Sequence, residues 1–278
     1  MSRTIHVAHS PDSDDAFMFY ALAEGKIDTD GLRYVHELQD IETLNQRAMR
    51  AELEVTAVSI HAYAYLSDRY ALLPHGASMG DRYGPRLVAK RSMKRDEIRG
   101  KRVAIPGMLT SAYLALRLFE PKFEPVVTPF DQIEDAVANG DVDVGLLIHE
   151  GQLTYADSGL HLVADLGAWW HDETGLPLPL GGNVIRKDLG DDLIEKVSRH
   201  LHESIAFGLQ HRRAALDHSM KYARGLDRQK ADTFVGMYVN DWTLDYGARG
   251  RKAVREFLDR GVAAGVITKL VDVKFVGD

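Results

Sequence analysis

A chain of 278 residues with 45% hydrophobic and 27% charged residues has the composition of a folded globular protein and enough length for two lobes, which excludes a disordered or fibrous chain. The formal net charge of -7, with Lys and Arg interspersed among Asp and Glu, argues against nucleic acid or an anionic membrane as the main partner, while leaving room for a local anion site. The absence of cysteine removes disulfides, thiolate catalysis, cysteine-ligated zinc and a lipid-anchoring cysteine together.

Ile5 to His9 reads as a first strand with no charged, apolar and cleavage regions ahead of it. No apolar run reaches the roughly 20 residues that span a bilayer, so the expectation is a cytoplasmic protein. Asp12 or Ser13 caps a helix through Ala16 to Leu22 that Gly25 stops, and this helix is apolar nearly all round, hence buried. Leu32 to Glu37 is a strand, and Asp40 opens a helix with Ile41, Leu44 and Ala48 on one face. Val55 to Ser59 is a third strand, followed by a helix from Ile60 to Leu66. This β-α-β-α order is that of an open, largely parallel sheet.

The chain turns at Gly84-Pro85, extends through Leu87 to Ala89, and crosses between lobes along the charged segment Lys90 to Arg99. A second series follows: strand Arg102 to Ile105, turn Pro106-Gly107, helix Ser111 to Leu118, and strands Val142 to Ile148 and Leu160 to Leu166. The Pro-rich run Leu176 to Gly182 reads as a return crossover, since proline stiffens an extended path. From Asp191 the chain is mainly helical, and Leu193, Val197, Leu201, Ile205 and Leu209 mark a face that packs back on the first lobe. The fold class is therefore α/β, a two-lobed clamshell in which each lobe is a mostly parallel sheet flanked by helices. Residues 1–91 and 183–278 form one lobe, residues 92–182 the other, and the ligand is expected in the cleft where strand ends and helix N-termini converge.

Several motifs fail on their surroundings. Gly76-Ala77-Ser78-Met79-Gly80 matches the nucleophile-elbow pattern, but Gly84-Pro85 breaks any helix that should follow the serine. His149-Glu150 starts a zinc-protease motif whose second histidine position holds Leu153. Asp141 to Gly145 has the wrong ligand spacing for calcium and fits a strand entering the core. What remains is His149, directly after the apolar strand Val144 to Ile148, at the sheet edge where open α/β folds place their chemistry. Histidine accepts a proton near neutral pH, although a strand-end histidine also serves simply to satisfy a carbonyl. Ser10 and Ser59 stand at strand-to-helix junctions, where hydroxyls bind ligands but also cap helices. Thr110-Ser111-Ala112 offers the backbone N–H groups of a helix start to an anion. Trp169-Trp170 either floors an aromatic pocket or packs between the lobes.

Ser10-Pro11 with Asp15-Ala16-Phe17, Asp40 to Asn45, Ser59 before His61-Ala62-Tyr63, Pro106-Gly107 before Ser111-Ala112-Tyr113, Gly145 to Glu150, and Leu166 to Trp170 with Thr174 to Gly181 occur in one order. In these segments the chain resembles the 1,4-dihydroxy-6-naphthoate synthase family of the futalosine route to menaquinone, from near residue 5 to beyond Asn240. The resemblance implies a periplasmic-binding-protein-like fold and a cofactor-independent lyase, without metal, that cleaves cyclic de-hypoxanthine futalosine, a small molecule bearing a carboxylate. It makes His149 the proton acceptor and Ala57, Ser59, Ser111 and Ala112 substrate contacts. Ser10, Asp15, Asn45 and Thr110, at the same junctions or in the same segments, join them as candidates. Two departures make the cleft more negative: Ala57 stands where the family commonly has lysine, and Asp12-Ser13-Asp14-Asp15 replaces a Cys-Pro-Asn-Asp loop. A chorismate dehydratase-like lyase and a solute-binding protein of the same fold are the alternatives, and oligomeric partners are not legible.

Overall fold

The computed structural model describes residues 3–223 and 226–278. Its strands sort into two sheets. The first takes β1 (Thr4–His9), β2 (Arg33–Leu38), β3 (Val55–Ser59), β4 (Tyr70–Leu72) and β5 (Ser78–Gly80). The second takes β6 (Arg86–Ala89), β7 (Arg102–Ile105), β8 (Glu124–Val127), β9 (Val144–Leu147) and β10 (His161–Asp165), after which β11 (Leu178–Arg186) returns to the first.

The first sheet runs β2-β1-β3-β11-β4 with β5 alongside β11, and the second runs β10-β6-β9-β7-β8. Strands joined through helices pair in parallel, β1 with β2 and β3, and β7 with β8 and β9. The strands that carry the chain into or out of a lobe, β6 and β11, pair antiparallel with all their neighbours. Each sheet is thus mixed, with a parallel core and antiparallel crossover strands, rather than mostly parallel as the β-α-β pattern implied. The physical reason is that a strand entering from the opposite lobe arrives at the far end of the sheet and needs no crossover helix.

The crossings also fall elsewhere than the charge pattern indicated. β6 already pairs with β9, so the chain changes sheets at Asp81 to Pro85 instead of Lys90 to Arg99. Gly84 sits so close to Gly167 that a Cβ would lie 3.0 Å from the Gly167 backbone, which favours glycine at this tight passage. Leu178 to Gly182, read as a crossover, is the first half of the nine-residue β11. Pro179 lacks an N–H for the ladder, and the pairing with β5 slips between Pro179 and Gly181.

Apolar periodicity is realised as burial. The helix Asp191–Gln210 lays Val197, Leu201 and Ile205 on Ile5, Val7, Val55, Phe17 and Met18 of the first lobe. One core continues across both lobes: Val58, Ile60 and Tyr246 join Leu87, Ile105, Leu114 and Trp170, with Phe257 of the helix Gly247–Ala263 between them. Trp170 is fully buried, donates Nε1–H to the Pro177 carbonyl at 3.1 Å and meets the Phe257 ring edge-on at 5.3 Å. The tryptophan pair is interlobe packing and does not floor the cleft. No helix among the described residues is long and apolar enough to cross a membrane.

Candidate active site

Between the sheets lies a cleft of about 730 Å³ of atom-free space, part of it open to solvent. All the predicted site residues except Asn45 line it: Ser10, Asp15, Ala57, Ser59, Thr110, Ser111, Ala112 and His149. Asn45 lies one layer below. On the helix Ile41–Met49, capped as expected by Asp40, it is fully buried, accepts from the Ser59 N–H at 2.9 Å and donates to Ser59 Oγ at 3.1 Å. It therefore fixes the Ser59 side chain.

The capping question divides by residue. Thr110 caps the helix Ser111–Phe119 by accepting from the Tyr113 N–H. Ser59 precedes the helix Ile60–Leu66 but makes no side-chain cap, and the cap of the helix Ser13–Met18 is Asp12 rather than Ser10. The Ser111 hydroxyl is committed across the cleft floor, donating to the Leu180 carbonyl at 2.5 Å and accepting from the His61 N–H at 3.2 Å. What the start of this nine-residue helix then presents to the cleft is backbone polarity at Ser111 and Ala112, a setting that favours an anion.

His149 is the one histidine among the described lining residues. It takes φ +53, a left-handed conformation uncommon for a non-glycine residue, and turns the chain out of β9 toward the helix Gly151–Thr154. Phe130 packs edge-on at 5.0 Å, and Nδ1 lies 3.1 Å from Asp12 Oδ2. Gln152 holds the backbone: its oxygen accepts from the His149 N–H at 3.2 Å, while its amide nitrogen donates to the Tyr238 hydroxyl at 2.6 Å and the Gly84 carbonyl at 2.7 Å.

Electrostatically the cleft is acidic. Asp12, Asp14 and Asp15 are all at least nine-tenths buried and line it beside His149, and no lysine or arginine stands among the described lining residues. Burial first, then the charge of Asp12, pushes the Asp14 and Asp15 carboxyls well above the ordinary range. A backbone N–H from Ser10, donating to Asp15 at 2.7 Å, partly offsets this. Other histidines are unsuited to proton chemistry here: burial pushes His9 down to about 3 and His61 down to about 4. Among the described residues no group of three His, Asp or Glu is arranged to hold a metal ion.

Sequence reasoning missed Phe234 and Tyr238, which reach the cleft from the helix Arg228–Tyr238, together with Gln152, Asn183 and Ser78. The aromatic pair at i and i+4 was the only local cue, and nothing in it told cleft from core. Ser78 does face the cleft, but it starts the short strand β5 and no helix follows, so it is no nucleophile elbow.

A family model described as menaquinone biosynthesis matches residues 5–263. A 1,4-dihydroxy-6-naphthoate synthase from Thermus thermophilus is 39% identical over 262 residues, 94% of this chain and 95% of that one. The chain belongs to the 1,4-dihydroxy-6-naphthoate synthase family of menaquinone biosynthesis. A synthase of the same name from Streptomyces coelicolor is 38% identical over 273 residues, 96% of each chain. Among solved structures, a protein from Archaeoglobus fulgidus is 50% identical with a TM-score of 0.91, covering 95% of this chain and 98% of that one. The alkanesulfonate-binding protein of Xanthomonas axonopodis pv. citri superposes at a TM-score of 0.72 with 13% identity, over 96% and 95% of the two chains. The synthase family is thus built on a periplasmic-binding-protein-like fold, and membership makes this chain an enzyme, of the lyase class.

Proposed function

We propose that the chain converts cyclic de-hypoxanthine futalosine to 1,4-dihydroxy-6-naphthoate in the cytoplasm, with His149 as the general base. The observation that carries this reading is the position of His149: a strand-end imidazole held on the cleft wall, in a chain whose synthase relatives match over nearly their whole length. His149 takes a proton from the sugar-derived part of the substrate, carbon–carbon cleavage follows, and aromatisation of the released naphthoate supplies the driving force. Ala57, Ser59, Ser111 and Ala112 contact the substrate, with Ser10, Asp15 and Thr110 around it and Asn45 fixing Ser59.

With no lysine or arginine among the described lining residues, the substrate carboxylate is best received by the N–H groups at Ser111 and Ala112. The acidic residues face the hydroxyl-bearing part, where carboxylates accept hydrogen bonds. The deciding experiment incubates the purified protein separately with cyclic de-hypoxanthine futalosine and with chorismate and follows each by mass spectrometry. Formation of 1,4-dihydroxy-6-naphthoate supports the proposal; turnover of chorismate alone, or binding without turnover, refutes it.

A further inference from the structure

His149 and Asp12 come from opposite lobes. His149 follows β9 of the second sheet, and Asp12 follows β1 of the first, yet His149 Nδ1 and Asp12 Oδ2 are 3.1 Å apart, with side chains only 17% and 2% exposed. We propose that Asp12 is the positioning residue of the base, fixing the His149 proton on Nδ1 so that Nε2 is the proton-accepting nitrogen, and doing so only while the two lobes are together. The inference rests on the reading of His149 as general base and adds to it a partner from the opposite lobe.

In a neutral imidazole one nitrogen donates and the other accepts, and the hydrogen bond made by one sets the role of the other. An ionised carboxylate only accepts, so the nitrogen facing Asp12 is the N–H and the lone pair sits on Nε2. The helix-cap position of Asp12 favours the ionised carboxylate there. Asp12 accepts from the Asp15 N–H as helix cap. Asp14 and Asp15, by contrast, are pushed toward their protonated forms by burial and by the Asp12 charge. Further features hold the place of His149. Phe130 packs on the ring, Gln152 binds the backbone N–H, and the left-handed backbone aims the side chain across the cleft.

Asp12→Asn keeps the helix cap, since asparagine caps as well as aspartate, but places an amide that can donate to Nδ1 and reverse the tautomer. Loss of such an orienting carboxylate in a His–Asp pair has lowered turnover by about 10⁴ elsewhere, so a fall in kcat of about 10²–10⁴ is expected here with KM little changed. Two readouts are needed: the kinetics of Asp12→Asn on cyclic de-hypoxanthine futalosine, and the ¹⁵N resonances of His149 in histidine-labelled protein, assigned by loss of signal in His149→Gln. An Nδ1–H tautomer in the wild type, lost in Asp12→Asn together with kcat, supports the proposal. An Nε2–H tautomer in the unaltered protein, or an unchanged kcat in a folded Asp12→Asn, overturns it. The resonance test requires no turnover, so a failure of the substrate assignment shows itself as an inactive wild type with the tautomer intact.

Discussion

The contact between Tyr238 and Gln152 joins the helix Arg228–Tyr238 to the short helix that follows His149, and Tyr238→Phe removes one hydroxyl from it. Both residues are buried, at 4% and 2% exposure. The phenylalanine ring keeps the edge contacts to Phe234 at 5.3 Å and Tyr83 at 5.9 Å, so packing is nearly conserved. What is lost is the 2.6 Å hydrogen bond, leaving one amide N–H of Gln152 unsatisfied in a water-poor site. Such a loss costs about 1–3 kcal/mol. For a chain of this size each kcal/mol moves the melting temperature by about 2–4 °C, so scanning calorimetry should show a drop of about 2–12 °C. Because Gln152 also holds the His149 backbone, kcat should fall with it. A Tyr238→Phe protein that melts within about 1 °C of the wild type would show that this hydrogen bond contributes nothing and that Gln152 is held by the Gly84 carbonyl and the His149 N–H.

Asp14→Asn tests the acidic cluster through pH. A carboxyl whose folded pKa is raised binds its proton more tightly in the folded state, so stability is lost as pH rises from the unfolded value of 3.8 through the folded one. The asparagine variant lacks this loss. It should therefore be more stable than the wild type at pH 7, with the gap closing toward pH 4 in parallel urea titrations, and a gap independent of pH would contradict the assignment. Gly145→Ala tests the packing beneath His149. A Cβ there would lie 2.7 Å from Ile133 Cγ2 and from Val137 Cγ2, so the helix Ile133–Asn139 must shift at a cost of about 1–3 kcal/mol, read as a lower denaturation midpoint.

The sequence carried the elements well because their signals are local. Asp40 and Thr110 are helix caps, Val55 to Ser59 is a buried strand, and the face through Val197, Leu201 and Ile205 is core. It misplaced the first crossing because Lys90 to Arg99 has the composition of a linker, whereas the actual passage is set by backbone approach at Gly84 and Gly167, a contact between residues far apart in the chain. β11 was hidden by Pro179, which argues against a strand unless the ladder slips there, as it does. In the site, strand-end position pointed to His149, and the acidic run Asp12 to Asp15 was visible as charge. That Asp12 meets His149, or that Tyr238 reaches Gln152, depends on how two lobes come together, and no periodicity or spacing encodes that.

The central claim is most directly tested by the single-turnover rate of His149→Asn with cyclic de-hypoxanthine futalosine, beside its affinity for the same compound. Asparagine keeps a hydrogen-bonding side chain of similar reach but cannot take up a proton. The account predicts a rate lower by about 10²–10⁴ with binding changed far less. A His149→Asn protein that releases 1,4-dihydroxy-6-naphthoate at near the wild-type rate would contradict it and move the search for the proton acceptor to Asp12, Asp14, Asp15 and Glu150.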